Sequence, residues 1–328
     1  MDNLTHTLTG VMLARAGLKR FSPRGTLLLA MAANSPDIDV VSWFGGPVTY
    51  LEYHRWITHA LAAAPLIALL PVAIIRMVHR KPISWFRAFA ISLVAVLSHL
   101  ALDFTNVYGV RLLLPFSGRW LRLDITSVID VWIWIILLFA LAAPALARLV
   151  SNEIGAKENP GRGWAIFALA LIGAYDFGRY LAHERALAML DARVYRSEAP
   201  TQTAAFPSPA NPFHWTGLVE LSEAYVMLPV GLPDDFDPTR GRVLFKTPRS
   251  AAMEAAAQTQ PFRVFLDFSA FPLWQTTPAP EPETATRVDV FDLRFGNPDQ
   301  PGFNASALVD ASNRVLKAQF GFGRLQPR

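Results

Sequence analysis

Four apolar stretches, roughly 57–78, 85–103, 128–147 and 164–182, constrain this chain more than any other feature. Each approaches the roughly 20 residues that a helix needs to cross the hydrocarbon core of a bilayer. They predict a membrane α-helical bundle of about four spans. The last is the least apolar, because Asp176 and Arg179 interrupt it. Spaced i,i+3, those two can pair on one helical face. Ahead of the spans, residues 4–17 read as an amphipathic helix and 26–34 as an apolar helix too short to cross.

Spans alone do not account for the composition. Hydrophobic residues make up 52% and charged residues 17%, too apolar for an ordinary soluble enzyme and too mixed for a bundle alone. The character changes after about residue 185. Residues 197–215 are rich in Pro, Ser and Ala and read as a linker. Beyond them, the runs 263–274, 286–296 and 314–323 alternate apolar and polar residues, which predicts antiparallel strands. The expected layout is a helical membrane domain over 1–185, a linker over 186–215, and a β-rich extramembrane domain over 216–328. The first twenty residues lack the order of a signal peptide and are expected to be kept.

The net charge of +4 comes without a basic run interleaved with aromatics, so no nucleic-acid partner is expected. Cysteine is absent, which leaves His, Asp, Glu and backbone oxygen as the available metal ligands.

Those ligand types converge. His54 and His59 open the first span, while His99 and Asp103 close the second. Two spans joined by a short loop form an antiparallel hairpin, so all four fall at one depth. His99 and Asp103 are four apart and share a helix face. Asp37 and Asp39 in "NSPDID", with Asp2 and His6 in "MDNLTH", belong to the same side. Each piece has a plainer reading: interfacial anchors beside Trp56, a helix-end pair, a capping turn. Asp124 and Asp130 read most simply as caps of the third span. Together, four of the seven histidines meet several carboxylates on one patch. Nitrogen and oxygen donors without thiolate suit Zn or Mn, as one ion or two. His79, His183 and His214 stand outside the pattern.

With four spans, the loops at 79–84 and 148–163 share a side and carry, with their flanks, Arg76, Arg80, Lys81, Arg87, Arg148, Lys157 and Arg162. The positive-inside rule leans towards a cytoplasmic placement for them and a periplasmic or exterior one for the patch. The opposite face is also basic, with Arg15, Lys19 and Arg55 among others.

In this order, "MDNLTHTLTG", "NSPDID", "HRWITHA" and "LSHLALDFTNVYGVRLLLPF" resemble the YdjM-like family of bacterial inner-membrane proteins, described as membrane-bound metal-dependent hydrolases. The resemblance covers about residues 1–135. Carried over by position, it implicates His6, Asp37, Asp39, His54, His59, His99 and Asp103 in metal binding, in a multi-pass protein of the inner membrane. One departure is Ala60, where the family would place Ser; that bears on a hydrogen bond near the site and not on the ligands. The C-terminal region resembles extensions in some members, with no role or partner implied. A fainter similarity to the zinc-dependent phospholipase C group points to substrate class only.

The expected chemistry is hydrolysis of a phosphoester or other ester of a lipid or lipid-linked substrate by a metal-activated water. Asp37 or Asp103 would take the proton, and Arg55 would hold an anionic oxygen. The competing readings are an ion transporter, which calls for ligands near mid-span, and a non-catalytic scaffold with a structural metal.

Overall fold

A computed structural model describes residues 1–79, 82–154, 161–279 and 284–323, with the backbone alone for 147–154. Arg80, Lys81 and Lys157, on which the orientation reading leaned, lie outside the described residues, as does the side chain of Arg148.

The chain opens with α1 (Asn3–Arg15), capped by Asp2, whose Oδ1 accepts from the amides of Leu4 at 3.1 Å and Thr5 at 3.0 Å. Helix α2 (Gly25–Ala32) packs closely on it. At Gly10 a Cβ would stand 2.6 Å from the Leu29 carbonyl oxygen, so only glycine permits this approach. A 3-10 segment (Pro36–Gly45) and α3 (Pro47–Tyr53) then lead into a 3-10 turn at Ile57–His59.

The first expected span is broken here. Ala60 is extended, and α4 (Ala64–Val78) starts anew with Pro65 in its first turn, bent 88° from the preceding segment. Hydropathy registers the apolar length and is blind to the bend. The second span is a continuous helix, α5 (Trp85–Thr105). The third lies within α6 (Val131–Ile154), started by Asp130, which accepts from the amides of Trp132 and Ile133 at 3.1 and 3.3 Å. The fourth is α7 (Arg162–Asp191). Among the described residues, α5 and α7 are long and apolar enough to cross a membrane, and the bent pair Pro47–His59 with Ala64–Val78 makes a third if taken as one span. The apolar part of α6, Val131–Leu146, is shorter. Four continuous spans are therefore not borne out; the helical region holds two or three candidates.

Two apolar cores build the bundle. Leu28, Leu29, Val72, Ile75, Ile91 and Val96 join α2, α4 and α5. Met12, Ile133, Leu137 and Ile172 join α1, α6 and α7. Helix α1 touches both, which fixes His6 against the end of α5.

The segment expected as a linker is ordered for much of its length. Residues 186–191 continue α7, and β1 (Gln202–Pro207) pairs with β2 (His214–Glu220). Ala186 and Leu190 are buried against Trp215, Val219 and Val230, so the end of α7 is part of the next core. With β3 (Ala224–Gly231) and β4 (Arg242–Phe245), these strands form a four-stranded antiparallel meander.

Helices α8 (Ala251–Ala257) and α9 (Gln260–Phe268) follow. The first half of the first alternating run, 263–268, is helix α9 and not a strand, and only its end, 272–274, opens the strand Pro272–Pro278. Phe262, Phe265 and Phe268 are buried at a spacing of three, and Pro261 sits in the first turn. The alternation seen from 263 onwards omits that start signal. Strands β5 (Pro272–Pro278), β6 (Thr286–Asp292), β9 (Phe303–Val309) and β10 (Val315–Phe322) form a second antiparallel sheet, ordered β10-β9-β6-β5, with a short β7–β8 hairpin (Gly296–Asn297, Gln300–Pro301) beside it. The C-terminal region is thus mixed, with two helices packed on its second sheet.

The C-terminal region docks on the end of the bundle where α5 stops. Arg294, fully buried, donates to the carbonyls of Val107 (3.0 Å), Tyr108 (3.2 Å) and Phe268 (2.8 Å) and pairs with Asp292 at 2.6 Å. Arg179 donates to the carbonyls of Ile125 and Pro212 and lies 4.1 Å over the Trp215 ring. Its expected partner Asp176 is not within ion-pair distance among the described residues.

Candidate metal centre

Four side chains from three segments converge where the 3-10 segment, the Ile57–His59 turn and the last two turns of α5 meet. His59 Nε2 stands 3.2 Å from His99 Nε2 and 3.4 Å from both Asp37 Oδ1 and Asp103 Oδ2. His99 Nε2 stands 3.3 Å from Asp103 Oδ2 and 3.7 Å from Asp37 Oδ1. All four donor atoms lie within 4.8 Å of one another. Metal bonds of about 2.0–2.1 Å in a tetrahedron separate their donors by roughly 3.4 Å. The cluster matches that spacing.

The surroundings fix which nitrogen faces inward. His99 Nδ1 lies 2.7 Å from the Ala33 carbonyl, which can only accept, so Nδ1 carries the proton. His59 Nδ1 lies 3.1 Å from Thr58 Oγ1, whose hydroxyl in turn donates to Asp39 Oδ2 at 3.0 Å; the ring nitrogen is itself 3.2 Å from that oxygen. Both rings therefore turn Nε2 towards each other and towards the carboxylates. Asp103 Oδ2, buried and without a hydrogen-bond partner, points into the same space. A cation held between these groups would satisfy both nitrogens and this oxygen together. Four converging donors of two types suit a divalent metal.

The remaining expected residues are present in other positions. Asp39 accepts from the Arg55 amide at 2.8 Å, Thr58 Oγ1 and His54 Nδ1 at 3.0 Å, so it orients the turn that carries His59. His54 forms a second group with Asp37 and Asp39, joined to the first through Asp37, and stacks on Tyr50 at 4.6 Å. His6 stacks on His99 at 3.7 Å with its Nε2 3.5 Å from Asp103 Oδ1 and neither ring nitrogen hydrogen-bonded. Burial holds its imidazole well below the usual range, so the ring is neutral. Asp2 serves as the cap of α1. Asp124 pairs with Arg122 at 2.8 Å, away from the start of α6.

Arg55 is placed differently from the expectation of a free anion holder. Its backbone is left-handed (φ 55), and its guanidinium is buried. Nη2 donates to Asp103 Oδ1 at 2.8 Å, while Nη1 donates to the Gly109 carbonyl at 2.9 Å and Asn106 Oδ1 at 3.3 Å, with the group 4.7 Å from the Tyr108 ring. It fixes Asp103, whose Oδ1 also meets the Met1 amino group. Asp37 is the one ligand of the four with some exposure, and its Oδ2 accepts from Asn3 at 3.1 Å. Burial opposes its ionisation, yet the hydrogen bond with His59 and the pull of His99 and Arg55 outweigh burial and hold it well below the usual carboxylate range.

Sequence reading did not single out Ala33, Thr58, Asn106 or Asn3. Thr58 and Asn106 lie inside the quoted motifs, and their nearness to His59 and Asp103 was the available signal. A backbone carbonyl such as that of Ala33 leaves none.

The profile of the YdjM inner membrane protein family matches residues 1–186, more than half the chain and all of the metal cluster. The chain belongs to this family. The profile of the YfhP C-terminal alpha/beta plait domain matches residues 251–326. An uncharacterized protein, YfhP of Bacillus subtilis (strain 168), is 28% identical over 152 residues, covering 43% of this chain and 46% of that protein. The chain thus spans about half the length of the curated relative it matches. No solved structure matches. Membership makes this YdjM-family chain a membrane protein, and the family's name is that of an inner-membrane protein.

Proposed function

We propose that this protein is a metal-dependent hydrolase of the membrane surface, acting on a phosphoester or other ester of a lipid or lipid-linked substrate. The observation that carries the reading is the convergence of His59, His99, Asp37 and Asp103 at metal-ligand spacing, buried behind a cleft that Asp37 lines. His59, His99 and Asp103 would hold a divalent ion such as Zn or Mn, with Asp37 either completing the shell or leaving the fourth position to water. The ion would supply Lewis acidity and lower the pKa of that water. The chain's own residues do the rest. Asp39 and the Ala33 carbonyl orient the two imidazoles, and Arg55 holds Asp103. Asp37, the donor that reaches the cleft, is the carboxylate placed to take the proton when it is not engaged with the ion, with Asn3 steadying its second oxygen.

The donors from α5 stand in its last two turns, which favours chemistry at the bilayer boundary over an ion path at mid-span. All four apolar segments are read as lying within the inner membrane, α4 and α6 as its shorter partners. The site and the C-terminal domain are read as sharing the periplasmic face, supported by their packing at one end of the bundle.

The test is hydrolysis of phospholipids and lipid phosphates by metal-loaded protein, wild type beside Asp37→Asn. Turnover that falls by about 100-fold or more in the variant supports the reading. A metal-loaded wild type that cleaves none of them contradicts it.

A further inference from the structure

We propose that the C-terminal domain forms one wall of the cleft beside the metal cluster and holds the hydrocarbon chain of a membrane amphiphile there. A cleft of about 470 Å³ runs from Asp37, His54 and Arg55 to Phe295, Phe303 and Phe322. Its two ends differ in chemistry. The first is polar and belongs to the membrane domain; the second is aromatic and comes from β9, β10 and the turn that follows β6. A site with polar groups at one end and an apolar wall at the other matches a ligand with a polar head and a hydrocarbon tail.

The aromatic wall is continuous and leads outward. Phe295 and Phe303 have ring centroids 4.5 Å apart, Phe303 and Phe322 5.1 Å, and Phe322 and Trp43 5.9 Å. Trp43 lies on the same 3-10 segment as Asp37. Val40 of that segment lines the cleft and is 55% exposed, and beyond it the segment exposes Val41 (60%) and Phe44 (93%). In a membrane protein, such a patch beside a half-exposed tryptophan is suited to the bilayer interface. The segment therefore links the lipid surface to the cleft, with the metal ligand Asp37 at one end and Phe44 at the other. This gives the C-terminal domain a task in selecting substrate by its tail. The identity of the polar head rests on the hydrolase reading; the binding of the tail does not.

The experiment uses the full chain in phosphatidylcholine nanodiscs containing phosphatidic acid with a photoactivatable diazirine at the end of one acyl chain. After irradiation, adducts are mapped by mass spectrometry. Adducts are expected within residues 295–322 and are displaced by excess unlabelled phosphatidic acid. They fall at least about threefold in Phe322→Asp and in Val40→Asp, both at exposed positions, while labelling of α5 and α7 stays as in wild type. Adducts confined to the membrane helices overturn the proposal, as do C-terminal adducts that neither excess lipid nor either variant reduces. Cleft labelling without hydrolysis of any lipid ester would keep this inference and remove the hydrolase reading. Hydrolysis without cleft labelling would do the reverse.

Discussion

His59 Nε2 and His99 Nε2 face each other at 3.2 Å, each turned inward by a partner on its other nitrogen. Both nitrogens also face the buried Asp103 Oδ2, at 3.4 and 3.3 Å, so donor atoms of two types crowd one space. A positive charge held between these groups stabilises the arrangement. Thr58, Asp39 and the Ala33 carbonyl hold it in place whether or not the charge is present, so the site is preorganised.

That preorganisation makes Asp39 a sensitive position although it is not one of the four ligands. In Asp39→Asn, one oxygen that accepts from the Arg55 amide, Thr58 or His54 is replaced by a donor. Metal affinity is expected to fall about 10- to 100-fold. Competition with a chromogenic chelator measures this, and an unchanged affinity would remove Asp39 from the orienting role.

Arg55 is expected to matter for folding more than for contact with substrate. Arg55→Lys keeps the charge but cannot reach Asp103, Asn106 and Gly109 together. Arg55→Ala leaves the Asp103 carboxylate buried without its guanidinium, at a cost of about 3–5 kcal/mol. Thermal unfolding in detergent should rank wild type above Lys and Lys above Ala. If Ala melts like wild type, Arg55 does not position Asp103.

How much of this could be read from the sequence differs by element. The His99–Asp103 pair and its meeting with His59 followed from helical spacing and from a hairpin of two apolar segments. Asp37 followed from belonging to the same side. The division of labour among Asp37, Asp39, His54 and His6 did not follow. Whether a residue binds a metal or orients a neighbour depends on which atom faces inward, and spacing carries no such information. The bend at Ala60 was hidden for a similar reason, since an apolar count is indifferent to direction. Helix α9 was misread because Val264 and Leu266 between the buried phenylalanines imitate a strand's alternation. The docking of the C-terminal domain through Arg294 depends on carbonyl oxygens that no sequence pattern displays.

Arg294 should couple the C-terminal domain to the loop after α5. Arg294→Met removes its bonds to the Val107, Tyr108 and Phe268 carbonyls and leaves Asp292 buried without its ion-pair partner, costing about 3–5 kcal/mol. Hydrogen exchange over residues 104–111 should accelerate in this variant. Unchanged exchange there would mean that the loop is held without the C-terminal domain.

Chelation should also lower thermal stability. A metal present at about 1,000 times its dissociation constant stabilises the folded state by about 4 kcal/mol, and removing it lowers the melting temperature. Adding Zn or Mn back should restore it in wild type and not in His99→Ala. A melting temperature indifferent to chelator would argue against a metal-stabilised site.

The most direct measurement is the metal content of detergent-purified protein by elemental mass spectrometry, with wild type beside His59→Ala and Asp103→Ala. About one Zn or Mn per chain in wild type, lost in both variants, is the predicted result, because two distant segments then share one ion. Well-folded wild type that holds no metal even after metal is added, or variants that keep the wild-type content, would contradict it.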